Sequence, residues 1–138
     1  MIYLLDTNIC IYIIKNKPSD VLDIFHSKSI LDISISSITV AELRYGAEKS
    51  SFPEKNHSAL DDFLSPFTIF PFDEVCSTYY GSLRKILENK GQVIGSMDLM
   101  IASCALKNNL ILVTNNTKEF ERIPELKIEN WVSVKSVS

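Results

Sequence analysis

Four short apolar or β-prone runs, separated by longer stretches of helical periodicity, constrain this chain more than any other feature. Ile2–Leu5 and Leu110–Val113 are apolar throughout, Ile33-Ser34-Ile35-Ser36 alternates, and Thr68-Ile69-Phe70 is β-prone. Strands without a polar face belong in a sheet covered on both sides, which means parallel strands joined by crossover helices. Helices are expected at about 8–15, 19–28, 38–49, 54–64, 73–90 and 97–108, with a last weak strand near Lys127–Trp131. The order β-α-α-β-α-α-β-α-α-β defines an α/β protein, a three-layer α/β/α sandwich with a mainly parallel central sheet.

The 138 residues fit one domain, expected over 1–132, followed by a Ser- and Val-rich tail at 133–138 expected to fray. A domain of this size buries roughly two-thirds of the surface its unfolded chain exposes, so it needs neither disulfide nor metal to fold. Apolar residues make up 46%, with only four Gly and five Pro, which excludes disordered, collagen-like and low-complexity classes. Cys10, Cys76 and Cys104 are widely spaced with no CxxC pair, as expected of free thiols in a reducing cytosol. His26 and His57 stand alone, so a histidine metal site is not expected.

The net charge of −3 argues against a protein that coats nucleic acid, because phosphate neutralisation supplies most non-specific affinity. A nuclease remains compatible, since an acidic metal site itself lowers the net charge. Acids exceed bases in the first half and balance them in the second, so neither half carries a basic tail. The N-terminal MIYLLDTNICIYIIKNK lacks a basic leader, holds Asp6 within its apolar run, and shows no cleavage site. It is also shorter than the ~20 apolar residues a membrane span requires. It reads as folded core of a cytoplasmic protein with no membrane association. Within it, Asn8–Ile14 is apolar almost all round, so this helix is either fully buried or turned in part towards a partner.

Several oxygen-bearing side chains fall where chemistry is carried. Asp6 follows the first strand directly, and ligands of open α/β sheets bind at the carboxyl ends of strands. The ordinary alternative is that Asp6 or Thr7 simply caps the next helix. Glu42 shares a helical face with Ile38 and Tyr45, a costly place for a carboxylate unless it is paired or meets a cation. An ion pair with Arg44 or Lys49, or an edge position in water, is the alternative. Asp98 is the one carboxylate of the apolar helix MDLMIASCAL, with Ser96 as the expected N-cap; a favourable charge at a helix N-terminus would be the simpler reading. Thr114-Asn115-Asn116 follows the strand Leu110–Val113 and can supply oxygens or orient a carboxylate, or else simply turn the chain. Glu119 lies just beyond. Clustered carboxylates without His or Cys suit the hard cations Mg²⁺ or Mn²⁺ and the phosphoryl chemistry those ions support.

At these residues the chain resembles the VapC-type PIN-domain ribonucleases, the toxins of bacterial toxin–antitoxin pairs. The matching stretches are LLDTN (Leu4–Asn8), SSITVAELRYGAEKS (Ser36–Ser50), IGSMDLMIASCAL (Ile94–Leu106) and LVTNNTKEFERIPELKIENW (Leu112–Trp131), in the family's order over most of the chain. The resemblance implies a PIN-like sandwich and an acidic site of Asp6, Glu42 and Asp98. It implies Mg²⁺-dependent cleavage of RNA, with Asp6, Asp98 and Glu42 as metal ligands. It further implies a small antitoxin whose amphipathic tail lies in a groove beside the Ile9–Ile14 helix, DNA contact only through that antitoxin, and a homodimer. The family often carries a further acid after the last core strand; here Asn116 stands in that neighbourhood, with Glu119 further on. Asn116 is accordingly placed with the catalytic residues as a neutral member of the shell.

Two other functions are compatible with such a chain. A catalytically weak PIN-like binding module would act only through its partner protein, but it would not need all three core acids. A phosphatase with an aspartyl nucleophile after the first strand would show a DxD pair, whereas Asp6 is followed by Thr7 and Asn8.

Overall fold

The computed structural model describes residues 1–132; the expected tail at 133–138 lies outside the described residues. Five strands form one sheet in the order β3-β2-β1-β4-β5. They are β1 (Tyr3–Leu5), β2 (Ile33–Ser36), β3 (Thr68–Phe70), β4 (Ile111–Val113) and β5 (Ile128–Glu129). Every pairing is parallel, so the mainly parallel sheet expected from the sequence is parallel throughout. The weak strand near Lys127–Trp131 exists as the edge strand β5.

The helices are α1 (Thr7–Ile14), α2 (Ser19–Ser27), α3 (Ser37–Glu48), α4 (Pro53–Leu64), α5 (Glu74–Asn89), α6 (Ser96–Lys107) and α7 (Thr117–Phe120). Six coincide with the expected segments to within a residue or two. The short α7, and a 3-10 turn at Ile30–Asp32, are additions that apolar periodicity cannot reveal, because neither spans two full turns.

Alternation along the strands divides the interior into two cores. Leu4 and Leu112 point to one face, where they meet Leu83 and Leu87 of α5, Leu99 and Ile101 of α6, and Phe120 of α7. Leu5, Ile35 and Val113 point to the other, against Ile9 and Ile13 of α1, Leu43 of α3, Leu60 of α4, and Trp131. Each fully buried Leu or Ile contributes about 1.5–3 kcal/mol of transfer free energy, so the sheet is held from both sides as the unbroken apolar runs require.

The helix α6 is buried almost all round, through Leu99, Ile101, Ala102, Ser103, Cys104 and Ala105. Its one interior polar group, the Ser103 hydroxyl, donates to the Leu99 carbonyl one turn back at 2.7 Å. The three cysteines are free and buried. The helix α1 is only partly covered. Ile9, Cys10 and Ile13 are buried, but Ile14 is 38% exposed, so full burial is not the explanation of its all-round apolarity.

The register decides what this scaffold can display. Leu5 pairs with Ile35 on one side and with Val113 on the other. The residues that follow, Asp6, Ser36 and Thr114, therefore emerge side by side from three adjacent strands. Two helices start there without a linker. Asp6 caps α1, its Oδ1 accepting from the Ile9 amide at 2.9 Å, and Ser36 caps α3, its Oγ accepting from the Thr39 amide at 3.2 Å. Capping side chains satisfy amides that the first helical turn leaves unpaired.

Candidate active site

Asp6 is 4% exposed. The Asp6 amide continues the sheet ladder to the Val113 carbonyl at 3.0 Å, which fixes the backbone from which the carboxylate projects. Its side chain caps α1 and also accepts from the Thr114 hydroxyl. The cap and the site are thus the same group, and the two readings of Asp6 are not rivals. Burial raises its pKa, and the nearby Glu42 charge adds to the rise, against the lowering effect of the Thr114 and Ile9 donors.

Glu42 reaches the same place from the middle of α3. Its Oε1 accepts from the Thr7 hydroxyl at 2.6 Å, and Thr7 Oγ1 lies 3.2 Å from the Thr39 hydroxyl. Neither basic neighbour pairs with Glu42. Arg44 pairs with Asp61 at 2.5 Å, and the Lys49 ammonium sits 4.9 Å from the Tyr45 ring centre. Thr7 had no role in the sequence beyond a possible cap; its contact joins residues 35 positions apart, a relation that local spacing cannot show.

Asp98 occupies the first turn of α6. The cap is Gly95, with Ser96 as the first helical residue, which corrects the expectation that Ser96 caps this helix. Burial, then the Glu119, Asp6 and Glu42 charges, push the Asp98 carboxyl up to about 7. Asp98 and Glu119 share a hydrogen bond. Position 95 adjoins both acids, and a Cβ there would make only ordinary van der Waals contact with them. A Cβ at position 95 would stand 3.9 Å from Asp98 Oδ2 and 4.0 Å from Glu119 Oε1.

Asn116 does not point its oxygen at the acids as an Asp would. Its Nδ2 donates to Glu119 Oε2 at 2.7 Å, and its amide donates to Thr114 Oγ1 at 2.9 Å. Glu119 Oε1 meanwhile accepts from the Gly95 amide at 3.2 Å. Burial pulls the Glu119 pKa up, but the Asn116 and Gly95 donors and the Asp98 contact outweigh it and hold the group below its ordinary value. The acid beside Asp98 is therefore Glu119, with Asn116 holding it in place. The sequence offered both residues and placed Asn116 with the catalytic ones; which of the two adjoins Asp98 depends on how α7 turns.

Four carboxylates, Asp6, Glu42, Asp98 and Glu119, thus act on one another at the carboxyl edge of the sheet. Among the described residues no lysine or arginine forms an ion pair with any of them. Like charges held together in a half-buried place are unfavourable unless protons or cations are taken up. The donor set is oxygen only, the chemistry of Mg²⁺ or Mn²⁺ sites. No group of three His, Cys, Asp or Glu side chains among the described residues stands as a ready ligand set; the four carboxylates share a field rather than a common centre. His57 lies elsewhere, its ring bonded to Glu48 and facing Arg44.

Comparison with known proteins agrees with this architecture. The PIN domain model matches residues 3–126. Ribonuclease VapC2 of Rickettsia felis is 52% identical over 135 residues, covering 95% of this chain and 98% of that protein. The tRNA(fMet)-specific endonuclease VapC of Shigella flexneri is 44% identical over 129 residues, covering 94% and 97%. The crystal structure of DNA-bound VapBC from Salmonella typhimurium superposes with a TM-score of 0.89 at 42% identity, over 96% of this chain and 99% of that one. The chain belongs to the PIN-domain family, within its VapC-type group.

Proposed function

We propose that the chain is a Mg²⁺-dependent endoribonuclease, with Mn²⁺ as an alternative ion, and the toxin of a toxin–antitoxin pair. The observation that carries this reading is the gathering of Asp6, Glu42, Asp98 and Glu119 with no salt-bridged lysine or arginine among the described residues, which leaves Asp98 held up to about 7. The relatives named ribonuclease VapC and tRNA(fMet)-specific endonuclease VapC support RNA as the substrate. A bound divalent ion would neutralise charge on the phosphate and lower the pKa of the attacking water.

Asp6 and Asp98 would hold the ion directly, and Glu42 through water. Asp6 is fixed for this by the Ile9 amide and the Thr114 hydroxyl. Glu42, tied to Thr7 through Oε1, keeps Oε2 to orient the attacking water and accept its proton. The water oxygen bonds to phosphorus in line, the bond to the 3′ oxygen breaks, and that oxygen leaves with a proton from solvent. Thr114, Asn116 and Glu119 maintain the arrangement around Asp98.

The partner reading rests on the surface beside the site. Ile11, Ile14, Leu43, Ala47 and Leu60, with Glu42 also lining it, shape a groove of about 400 Å³ between α1, α3 and α4. An amphipathic antitoxin helix would lay its apolar face there, and a basic side chain on it would reach the carboxylates. DNA contact would belong to the antitoxin; the Salmonella structure is of a VapBC complex bound to DNA. Val75, Tyr79 and Ile86, exposed on α5, supply an apolar face for a second copy, in keeping with a homodimer. No helix among the described residues is long and apolar enough to cross a membrane, in keeping with action in the cytoplasm.

The test is RNA cleavage by the purified chain with Mg²⁺ and with EDTA, against Asp98→Asn. Loss of cleavage in EDTA and in the variant is expected; cleavage that persists in both would overturn the mechanism.

A further inference from the structure

The sequence contains no run of basic residues, yet the fold collects three. Lys90, Gln92, Lys118, Glu121, Arg122 and Pro124 line an open depression of about 590 Å³. Lys90 closes the C-terminal end of α5, Lys118 lies on α7, and Arg122 follows it. Glu121 is the one acid in the lining. Among the described residues none of the three cations is taken up in a salt bridge. Arg122 is anchored at the rim, its Nη1 donating to the Val93 carbonyl at 3.1 Å.

The depression borders on the acidic cluster. One loop and one turn are tied twice: Arg122 to the Val93 carbonyl, and Glu119 to the Gly95 amide at 3.2 Å. Val93 and Gly95 are two residues apart, no more than about 7 Å of chain. Glu119 and Arg122 are likewise separated by only three residues. Positive charge therefore lies beside a group of carboxylates that would repel any polyanion. A strand brought to those carboxylates needs its affinity from somewhere else. The lining offers charge and long flexible stems, with no aromatic or large aliphatic floor for a small apolar ligand, and its openness suits an extended backbone.

We propose that Lys90, Lys118 and Arg122 seat backbone phosphates of the RNA strand next to the bond that is cut. This rests on the ribonuclease reading for the word "cut", but the seat itself is a binding property that can be measured without cleavage. Lysine contacts to single-stranded phosphates lower the salt slope of log affinity by about 0.7 each when removed.

The experiment is equilibrium binding of a fluorescent single-stranded RNA to the full chain in EDTA, where no metal-dependent cleavage occurs, over a series of salt concentrations. Lys90→Ala/Lys118→Ala is expected to weaken binding about tenfold near 0.1 M salt and to reduce the slope by about 1.4. Lys90→Arg/Lys118→Arg should restore both. Leaving Arg122 in place keeps its bond to Val93, so a fold defect is not confused with lost binding; a thermal melt of each variant checks this. In the cleavage assay with Mg²⁺ the same double variant should raise KM more than it lowers kcat. RNA affinity and slope unchanged in the double variant would overturn the seat, as would a wild-type chain that binds no RNA. A variant that loses affinity for the antitoxin instead of for RNA would make the depression a protein contact and overturn it equally. RNA binding that depends on the lysines, in a chain that never cleaves RNA, would uphold the seat and overturn the ribonuclease reading alone.

Discussion

Thr7 Oγ1 donates to Glu42 Oε1 at 2.6 Å, so the first residue of α1 aims a carboxylate that belongs to α3. Such a bond to a charged acceptor is worth about 1.5–3 kcal/mol. Thr7→Val keeps the shape and removes the donor. It is expected to lower kcat by about tenfold or more, with the fold kept and the melting temperature lowered by roughly 5–10 °C. Thr7→Ser should recover most of the loss. Activity in Thr7→Val equal to wild type would show that Glu42 needs no orientation from α1.

Asp98 gives a pH dependence of stability with a definite sign. Its pKa is about 7 in the folded chain, against an ordinary value of 3.8. Between those values the folded chain holds more proton than the unfolded chain, so stability falls as pH rises. The contribution is fully present below about pH 4 and lost above about pH 7. Glu119 works in the opposite sense, and Asp98 is only half-buried, so solvent screening leaves roughly 1–2 kcal/mol. Urea midpoints in EDTA should be lower at pH 8 than at pH 5, the difference shrinking in Asp98→Asn and with Mg²⁺ present. Equal midpoints for the wild type at the two pH values would show that the carboxylates are not under mutual strain.

Asn116 sorts two models of the site. As the donor to Glu119 Oε2, it acts through that carboxylate. Asn116→Ala should therefore reduce cleavage by less than Asp98→Asn does. Asn116→Asp looks from the sequence like an added ligand, but it removes the donor and puts a fifth negative charge against Glu119. The metal-free Asp variant should melt below the wild type at neutral pH. A ranking with Asn116→Ala as the most damaging change would place the chemistry at Asn116 itself.

The groove beside α1 separates packing from recognition. Ile14 is 38% exposed, the most open apolar side chain of α1, so Ile14→Gln disturbs less packing than the same change at Ile9 or Ile13. Antitoxin affinity should fall about tenfold while the urea midpoint stays close to wild type. A collapsed midpoint with unchanged affinity would make Ile14 plain core and move the partner elsewhere; Ile11→Gln, at a half-buried position, should show the two effects mixed.

The fold was legible because both faces of its sheet are buried. Leu4 and Leu5 go to opposite cores, which is why the strand has no polar alternation and why helices had to lie on both sides. Asp6, Glu42 and Asp98 were legible because each interrupts an apolar context at an energetic cost. Glu119 was less so. It sits on a four-residue helix in a polar stretch, where a carboxylate costs nothing, and only the Gly95 and Asn116 contacts give it a role. Thr7 and Gly95 left no signal: a threonine after a strand and a glycine before a helix are ordinary, and their significance lies in partners 35 and 24 positions away. The basic depression was hidden for the same reason, since Lys90 follows α5 while Lys118 and Arg122 belong to the turn at α7.

The sheet order has a consequence for how the protein comes into being. β1 is the first strand made, yet one of its two neighbours is β4 (Ile111–Val113), among the last. Closing a loop of that length must precede the contacts that reward it, which makes such pairings slow to form. During synthesis, Asp6 must wait for α6 and β4 to leave the ribosome before meeting Asp98 and Thr114. A nascent chain of this topology therefore cannot assemble its carboxylate cluster from the early segments alone, however soon Asp6 and Glu42 are made.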